Sequence, residues 1–180
     1  MARDKEIIKK GKHLAYLLRH DVEALNQGKI DEHGWRMVEE LAGLGYSRET
    51  LDEIVSSNNK QRYEYSPDGL MIRARQGHSI KVDVELAEAT PPDILYHGTA
   101  TRFLESIYAN GLKAGNRLYV HLSSDEVTAI NVGNRHGTPF VIKIDCLKML
   151  ADGYKFYLSN NGVWLTKEVP TKYFTNSQDF

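Results

Sequence analysis

The tetrapeptide Ser66-Pro67-Asp68-Gly69 constrains the first half of this chain more than any other feature. Proline presets φ inside the turn and glycine relieves its exit, so the chain reverses there. Strand-like segments flank it at residues 62–66 and 70–74, with side chains alternating between two faces. Three helical segments precede this hairpin. Residues 7–18 set Ile7, Ile8, Leu14, Ala15, Leu17 and Leu18 at helical spacing, with lysines opposite. Asp31-Glu32-His33-Gly34 reads as a turn, and residues 35–44 as a second amphipathic helix stopped by Gly45. Ser47 reads as the cap before a third helix over 51–57, closed by Asn58-Asn59. Three helices and then a hairpin is the element order of a winged-helix domain, a fold that handles nucleic acid in some proteins and protein in others.

Glu88-Ala89-Thr90-Pro91-Pro92 reads as a linker, dividing the chain into segments 1–90 and 91–180. The second segment is strand-rich. A strand over 94–96 ends at His97-Gly98-Thr99, and a helix over 102–109 stops at Asn110-Gly111. A strand over 119–122 and a helix over 125–131 follow, then the loop Val132-Gly133-Asn134-Arg135-His136-Gly137 and a strand over 140–144. Ser159-Asn160-Asn161-Gly162 turns a last hairpin between 156–158 and 163–165. The whole reads as α+β, with no βαβ repeat and no Rossmann fingerprint.

The composition, 41% hydrophobic and 26% charged, is that of a soluble globular protein. No apolar run is long enough to span a bilayer, and the first residues lack a signal-peptide core. The sole cysteine, Cys146, excludes an internal disulfide and lies in the apolar run 140–150, as a buried thiol would. A cytoplasmic monomer is the expectation. The net charge is −1: residues 1–90 hold 14 Lys+Arg against 16 Asp+Glu, and residues 91–180 hold 9 against 8. A bound phosphate must therefore rely on a few placed arginines, because no broad basic surface is available.

Seven histidines show no metal-ligand spacing, so no metal is expected. There is no nucleophile elbow, and the loops that carry histidines lack paired carboxylates. What remains is a set of arginines and histidines at element ends. Arg19-His20 closes the first helix, a place that by itself is equally explained by simple macrodipole partners. Arg73 and Arg75 share one face of a strand that exits into Gln76-Gly77-His78-Ser79. His97, His121 and Arg135 follow in the second segment. Guanidinium forks suit phosphate, and several converging on one point require an anion between them.

Taken in order, Leu18-Arg19-His20, Asp31-Glu32-His33-Gly34-Trp35, Ile72-Arg73-Ala74-Arg75-Gln76-Gly77-His78-Ser79, Tyr96-His97-Gly98-Thr99, His121-Leu122-Ser123, Val132-Gly133-Asn134-Arg135-His136-Gly137-Thr138-Pro139 and Asn161-Gly162-Val163-Trp164-Leu165 resemble the RNA 2′-phosphotransferase (KptA) family. The resemblance implies an N-terminal winged-helix lobe that holds RNA and a C-terminal ADP-ribosyltransferase-like lobe that holds NAD. It implies attack by an internal RNA 2′-phosphate, as at a tRNA splice junction, on the nicotinamide ribose. An ADP-ribosylated RNA phosphate forms and nicotinamide leaves. The products are then 2′-OH RNA and ADP-ribose 1″,2″-cyclic phosphate.

Carried over by motif, Arg19, His20, Arg73 and Arg135 are the expected catalytic group. The first three, with Arg75, Gln76 and His78, are expected to hold RNA. His97, Gly98, Thr99, Asn110, Arg117, His121, Ser123 and Val163 are expected to hold NAD, consumed as co-substrate. Val163 stands where protein-modifying relatives carry a catalytic glutamate, so the reactive oxygen must come from the substrate. Two rival expectations share these residues: an ADP-ribosyltransferase that caps terminal phosphates, and a non-catalytic winged-helix protein that senses NAD.

Overall fold

The computed structural model describes residues 2–58 and 60–175 and separates into two units. The first, up to Glu85, comprises α1 (Ala2–Arg19), α2 (Val22–Asn26), β1 (Arg36–Met37), α3 (Val38–Gly43), α4 (Arg48–Ser56), β2 (Tyr63–Tyr65) and β3 (Met71–Ala74). The expected turn closes: the Gly69 N–H donates to the Ser66 carbonyl at 2.8 Å, and the Ser66 N–H to that of Met71 at 2.9 Å. This sets Tyr65 opposite Ile72 and Glu64 opposite Arg73, with β1 on the other edge of β3. Leu14 and Leu18 of α1 pack with Leu41, Leu51, Ile54 and Ile72. The Ser47 side chain accepts from the Thr50 N–H and starts α4, as its position before the helix requires. The helix's expected closure at Asn59 lies outside the described residues.

The helix expected over 35–44 is corrected: it begins only at Val38. Arg36 and Met37 are extended because they pair with Ile72 and Met71, and cross-strand pairing outweighs helical periodicity. The five-residue α2 escapes a periodicity reading because it is too short to show one. It forms because the Asp21 carboxylate accepts from the Ala24 N–H at 3.0 Å.

The second unit, from Leu86 onward, comprises β4 (Ala87–Glu88), β5 (Ile94–Ala100), α5 (Leu104–Asn110), β6 (Leu112–Lys113), β7 (Val120–Leu122), α6 (Glu126–Gly133), β8 (Pro139–Asp145), α7 (Cys146–Ala151), β9 (Tyr157–Leu158), β10 (Trp164–Thr166) and β11 (Glu168–Val169). β4, β9, β10 and β7 form one sheet, β5 pairs with β8, and β6 with β11. The unit boundary lies upstream of Pro91-Pro92, because Ala87 and Glu88 pair with Leu158 and Tyr157. Leu95, Ile142, Ile144, Met149 and Phe156 fill the core. Cys146 is buried with them, and burial pushes its thiol up to about 12, as an inert core residue.

The strand expected to end at Tyr96 continues through His97, Gly98 and Thr99 to Ala100, because β8 pairs with it along its full length. Glycine at 98 has a packing reason. A Cβ there would lie 1.7 Å from the carbonyl oxygen of Ala129, so α6 can sit on β5 only with no side chain beneath it. Helices and strands mix in both units, an α+β chain. Among the described residues no helix is long and apolar enough to cross a membrane.

Candidate active site

In the first unit the loop after β3 folds back onto the end of α1. A helix leaves its last carbonyls without intrahelical donors. Here the Arg19 carbonyl receives the Ser79 N–H at 3.0 Å and the Ile80 N–H at 3.3 Å, so the loop supplies what the helix end lacks. His20 Nδ1 and the Ser79 hydroxyl share a hydrogen bond of 2.8 Å. The loop crosses the Arg19 side chain at Gly77, whose φ of +89° suits glycine. A Cβ at Gly77 would stand 3.6 Å from the Arg19 guanidinium, in ordinary contact.

His78 lies between these groups and is only 2% exposed. Burial foremost, then the charges of Arg19, His20 and Arg73, push its ring down to about 3. It is therefore neutral at physiological pH. Its Nε2 is buried without a hydrogen-bond partner, close to the backbone of Gly34. The expectation that His78 meets RNA thus lands on a residue beneath the surface, whose surroundings are cationic.

Arg73 is held from several sides and is 11% exposed. Its Nε donates to Glu64 at 2.7 Å, and its Nη1 to Glu85 at 3.1 Å and to the His33 carbonyl at 3.3 Å. The guanidinium carbon stands 4.3 Å from the centroid of the Trp35 ring. Arg75 Nε lies 3.3 Å from the other oxygen of Glu64, so one carboxylate braces both arginines. Gln76, also expected to hold RNA, is half-buried beside them. Beneath the site, Arg36 is 3% exposed and donates to Asp21, to both oxygens of Glu40 and to the Leu17 carbonyl. It ties the end of α1 to the start of α2, and so fixes the segment that carries Arg19 and His20.

In the second unit, the Tyr96 and Ser123 backbones exchange hydrogen bonds of 2.9 and 2.8 Å, which draws the end of β7 to β5. His97 Nδ1 donates to the His121 carbonyl at 3.0 Å, since a carbonyl oxygen can only accept. Burial chiefly, with His136 nearby, lowers the His97 pKa, against the effect of that hydrogen bond. The neutral ring then leaves Nε2 as an acceptor. His121 Nδ1 donates in turn to the Tyr119 carbonyl at 3.1 Å. Thr99 is buried on the same strand as His97.

The structure thus brings His97, His121 and Ser123 together. Asn110 is engaged within its own helix, donating to the Ser106 carbonyl at 3.0 Å, and Arg117 is exposed in the turn before β7. No hydrogen bond among the described residues draws either into the histidine group. Val163 precedes β10, its N–H bonded to the Ser159 hydroxyl at 3.1 Å. Arg135 is exposed just beyond α6.

The profile of the RNA 2′-phosphotransferase, Tpt1 / KptA family matches residues 5–168. The chain belongs to this family. It is 49% identical to a probable RNA 2′-phosphotransferase of Acaryochloris marina, over 95% of this chain and 97% of the relative. It is 48% identical to one of Agrobacterium fabrum, over 93% of each, and 47% identical to one of Hahella chejuensis, over 96% and 95%.

Within this RNA 2′-phosphotransferase family chain, Glu64, Glu85 and Arg36 are the site residues that motif reading passed over. For Glu64 a signal existed. Counting back across the Pro67-Asp68-Gly69 turn sets it opposite Arg73, and opposite charges facing each other across strands attract. Glu85 offered none, because its partner Arg73 lies twelve residues away on β3. Arg36 carried a local signal in Glu40, four residues on, but none for Asp21 or Leu17.

Proposed function

We propose that the protein removes an internal 2′-phosphate from RNA, as at a tRNA splice junction, with NAD consumed as co-substrate. The observation that carries this reading, in a chain of this family, is the packing of the loop after β3, the strand of Arg73, onto the end of α1. Gly77 lies against the Arg19 guanidinium, Ser79 is bonded to His20, and His78 is buried between Gly77 and Ser79. Fixed guanidinium charge favours a dianion, and an RNA 2′-phosphate is a dianion with forked oxygens. In this reading the first unit is the winged-helix lobe that holds RNA, and the second is the ADP-ribosyltransferase-like lobe that holds NAD.

Arg19 and Arg73 orient the 2′-phosphate and stabilise charge on its oxygens, and His20 holds the phosphate or the adjoining backbone; Arg135 is the proposed catalytic guanidinium of the second unit. Arg75 and Gln76 contact the RNA beside it. Glu64, Glu85 and the Trp35 ring hold the Arg73 guanidinium before any anion arrives, so little reorganisation accompanies the reaction.

For NAD, the fit rests on His97. Its Nδ1 is committed to the His121 carbonyl, and its neutral Nε2 is an acceptor suited to a ribose hydroxyl. Gly98, Thr99, His121, Ser123 and Val163 complete the proposed NAD-binding group, with Asn110 and Arg117 as outer members. NAD supplies an electrophilic ribose carbon with nicotinamide as leaving group. The RNA phosphate oxygen bonds to C1″ as the C1″–nicotinamide bond breaks. Attack by the ribose O2″ on phosphorus would then break the bond from phosphorus to the RNA 2′ oxygen, the O2″ proton passing to that oxygen, to give 2′-OH RNA and ADP-ribose 1″,2″-cyclic phosphate.

The test is incubation with NAD and an oligoribonucleotide carrying one internal 2′-phosphate, with products resolved by mass spectrometry. Loss of the phosphate with appearance of the cyclic product is expected. Arg73→Ala should slow it about a hundredfold or more, since one such contact is worth on the order of 3 kcal/mol. ADP-ribosylated RNA as the end product would reassign the protein to phosphate capping. An absence of nicotinamide release would overturn the enzymatic reading.

A further inference from the structure

A groove of about 530 Å³ runs along α1 in the first unit and ends at Arg19. One stripe of α1 forms its wall: Ile8, Gly11, Lys12, Ala15 and Arg19 recur at intervals of three and four residues, one helix face. Lys12 and Arg19 are separated by about 10 Å along the axis, at 1.5 Å per residue. The facing wall is Lys60, Arg62 and Tyr63. Tyr63 donates its hydroxyl to the Gly11 carbonyl at 2.9 Å, and the charges of both Arg19 and Arg62 bear on that hydroxyl.

The charge of this lining is one-sided. Residues up to Glu85 hold 14 Lys+Arg and 15 Asp+Glu. Four of the cations, Lys12, Arg19, Lys60 and Arg62, line the groove, and none of the carboxylates does. Along α1 the surface between the cations is apolar, from Ile7 and Ile8 to Ala15, while Ser57 and Asn58 add neutral polar groups beside Lys60 and Arg62. Gly11 adds a second pointer. Inside a helix, glycine costs about 0.5–1 kcal/mol relative to alanine. Packing does not demand it here, because a Cβ would stand 3.6 Å from Ile54 Cγ2, an ordinary contact. What glycine preserves is a flat stretch of groove.

We propose that this groove holds the ribonucleotides that flank the 2′-phosphate, with phosphodiesters on Lys12, Lys60 and Arg62 and a base face laid over Gly11 and Ile8. Cations alternating with flat apolar surface are what an unpaired strand needs, since its backbone is anionic and its bases are not. The proposal rests on the RNA reading above. It adds that recognition extends beyond the phosphate, despite the near-neutral charge of the unit.

The experiment measures equilibrium binding without NAD, by fluorescence anisotropy across a salt series. It compares a 2′-phosphorylated dinucleotide with an oligoribonucleotide of about ten nucleotides carrying the same 2′-phosphate. The longer RNA should bind about tenfold tighter or better. In Lys12→Glu/Lys60→Glu/Arg62→Glu that advantage should vanish, and the salt slope should fall by about 0.7 per lost phosphate contact. Gly11→Met keeps every charge and fills the floor, so it should reduce the same advantage. Both variants are checked for folding by thermal melting.

No length advantage in the unaltered protein, or its persistence in a folded triple variant, would overturn the proposal. Equal competition by polyglutamate of matched charge would assign the groove to acidic protein and overturn it too. A length advantage without NAD-dependent phosphate loss sinks the activity reading and leaves the groove standing. Phosphate loss without a length advantage does the reverse.

Discussion

The two units place chemistry-bearing side chains by opposite means. The first keeps its charge and fixes it: Arg36 and Arg73 are held by Asp21, Glu40, Glu64 and Glu85 at distances from 2.7 to 3.1 Å. The second removes charge: His97 is kept neutral by burial and is oriented by a carbonyl oxygen. Its close approach of β5 and α6 depends on the absence of a side chain at Gly98. A site of fixed cations is prepared for an anion, whereas neutral imidazole and backbone suit hydroxyl groups and uncharged rings. The difference teaches that the candidate side chains are prepared differently, fixed guanidinium charge around a neutral His78 in the first unit and neutral imidazole in the second, although the net charge is nearly zero.

The largest expected effect tests whether ion pairs anchor the first unit. Arg36→Met leaves Asp21 and Glu40 partly buried without their cation, which should cost about 3–5 kcal/mol. The measurement is the shift in urea midpoint, and a change under about 1 kcal/mol would show that packing, not charge, holds the end of α1.

Next in size is a pH effect at His78. In the folded state its pKa is pushed down to about 3 from the ordinary 6.5. On acidification the unfolded chain takes up a proton near 6.5 that the folded chain refuses until about 3. Stability therefore rises with pH through that window, and acidification removes a few kcal/mol from the folded state. Urea midpoints inside and above the window should show this slope, and His78→Gln should flatten it. An equal slope in both proteins would place the titration elsewhere.

The smallest of the three effects tests the second unit's dependence on close packing. Gly98→Ala sets a methyl against the Ala129 carbonyl and should cost about 1–3 kcal/mol in a thermal melt as α6 is pushed from β5. An unchanged melt would mean that the helix yields freely, and the contrast between the units would then rest on charge alone.

Much of the fold was legible because its signals are local. The Pro67-Asp68-Gly69 turn, the Ser47 cap and the apolar spacing of Leu14 and Leu18 each act within a few residues. The reading failed where remote partners compete. Arg36 and Met37 suit a helix by spacing but pair with Ile72 and Met71, and the strand ending at Tyr96 gains further length from β8. Of the candidate residues, the motifs marked Arg19, His20, Arg73, His97 and His121, but not which of them lie exposed. His78 reads as a loop residue beside glycine and is among the more deeply buried polar side chains.

By itself, the sequence determined the family, the α+β class and the residue types available for phosphate recognition, because periodicity, turns and motifs are properties of neighbours along the chain. Tertiary structure alone decided that His78 is neutral, that Glu64 braces two arginines and that one groove collects cations without carboxylates. Burial and electrostatic fields depend on distances through space, and those are set only when remote segments pack.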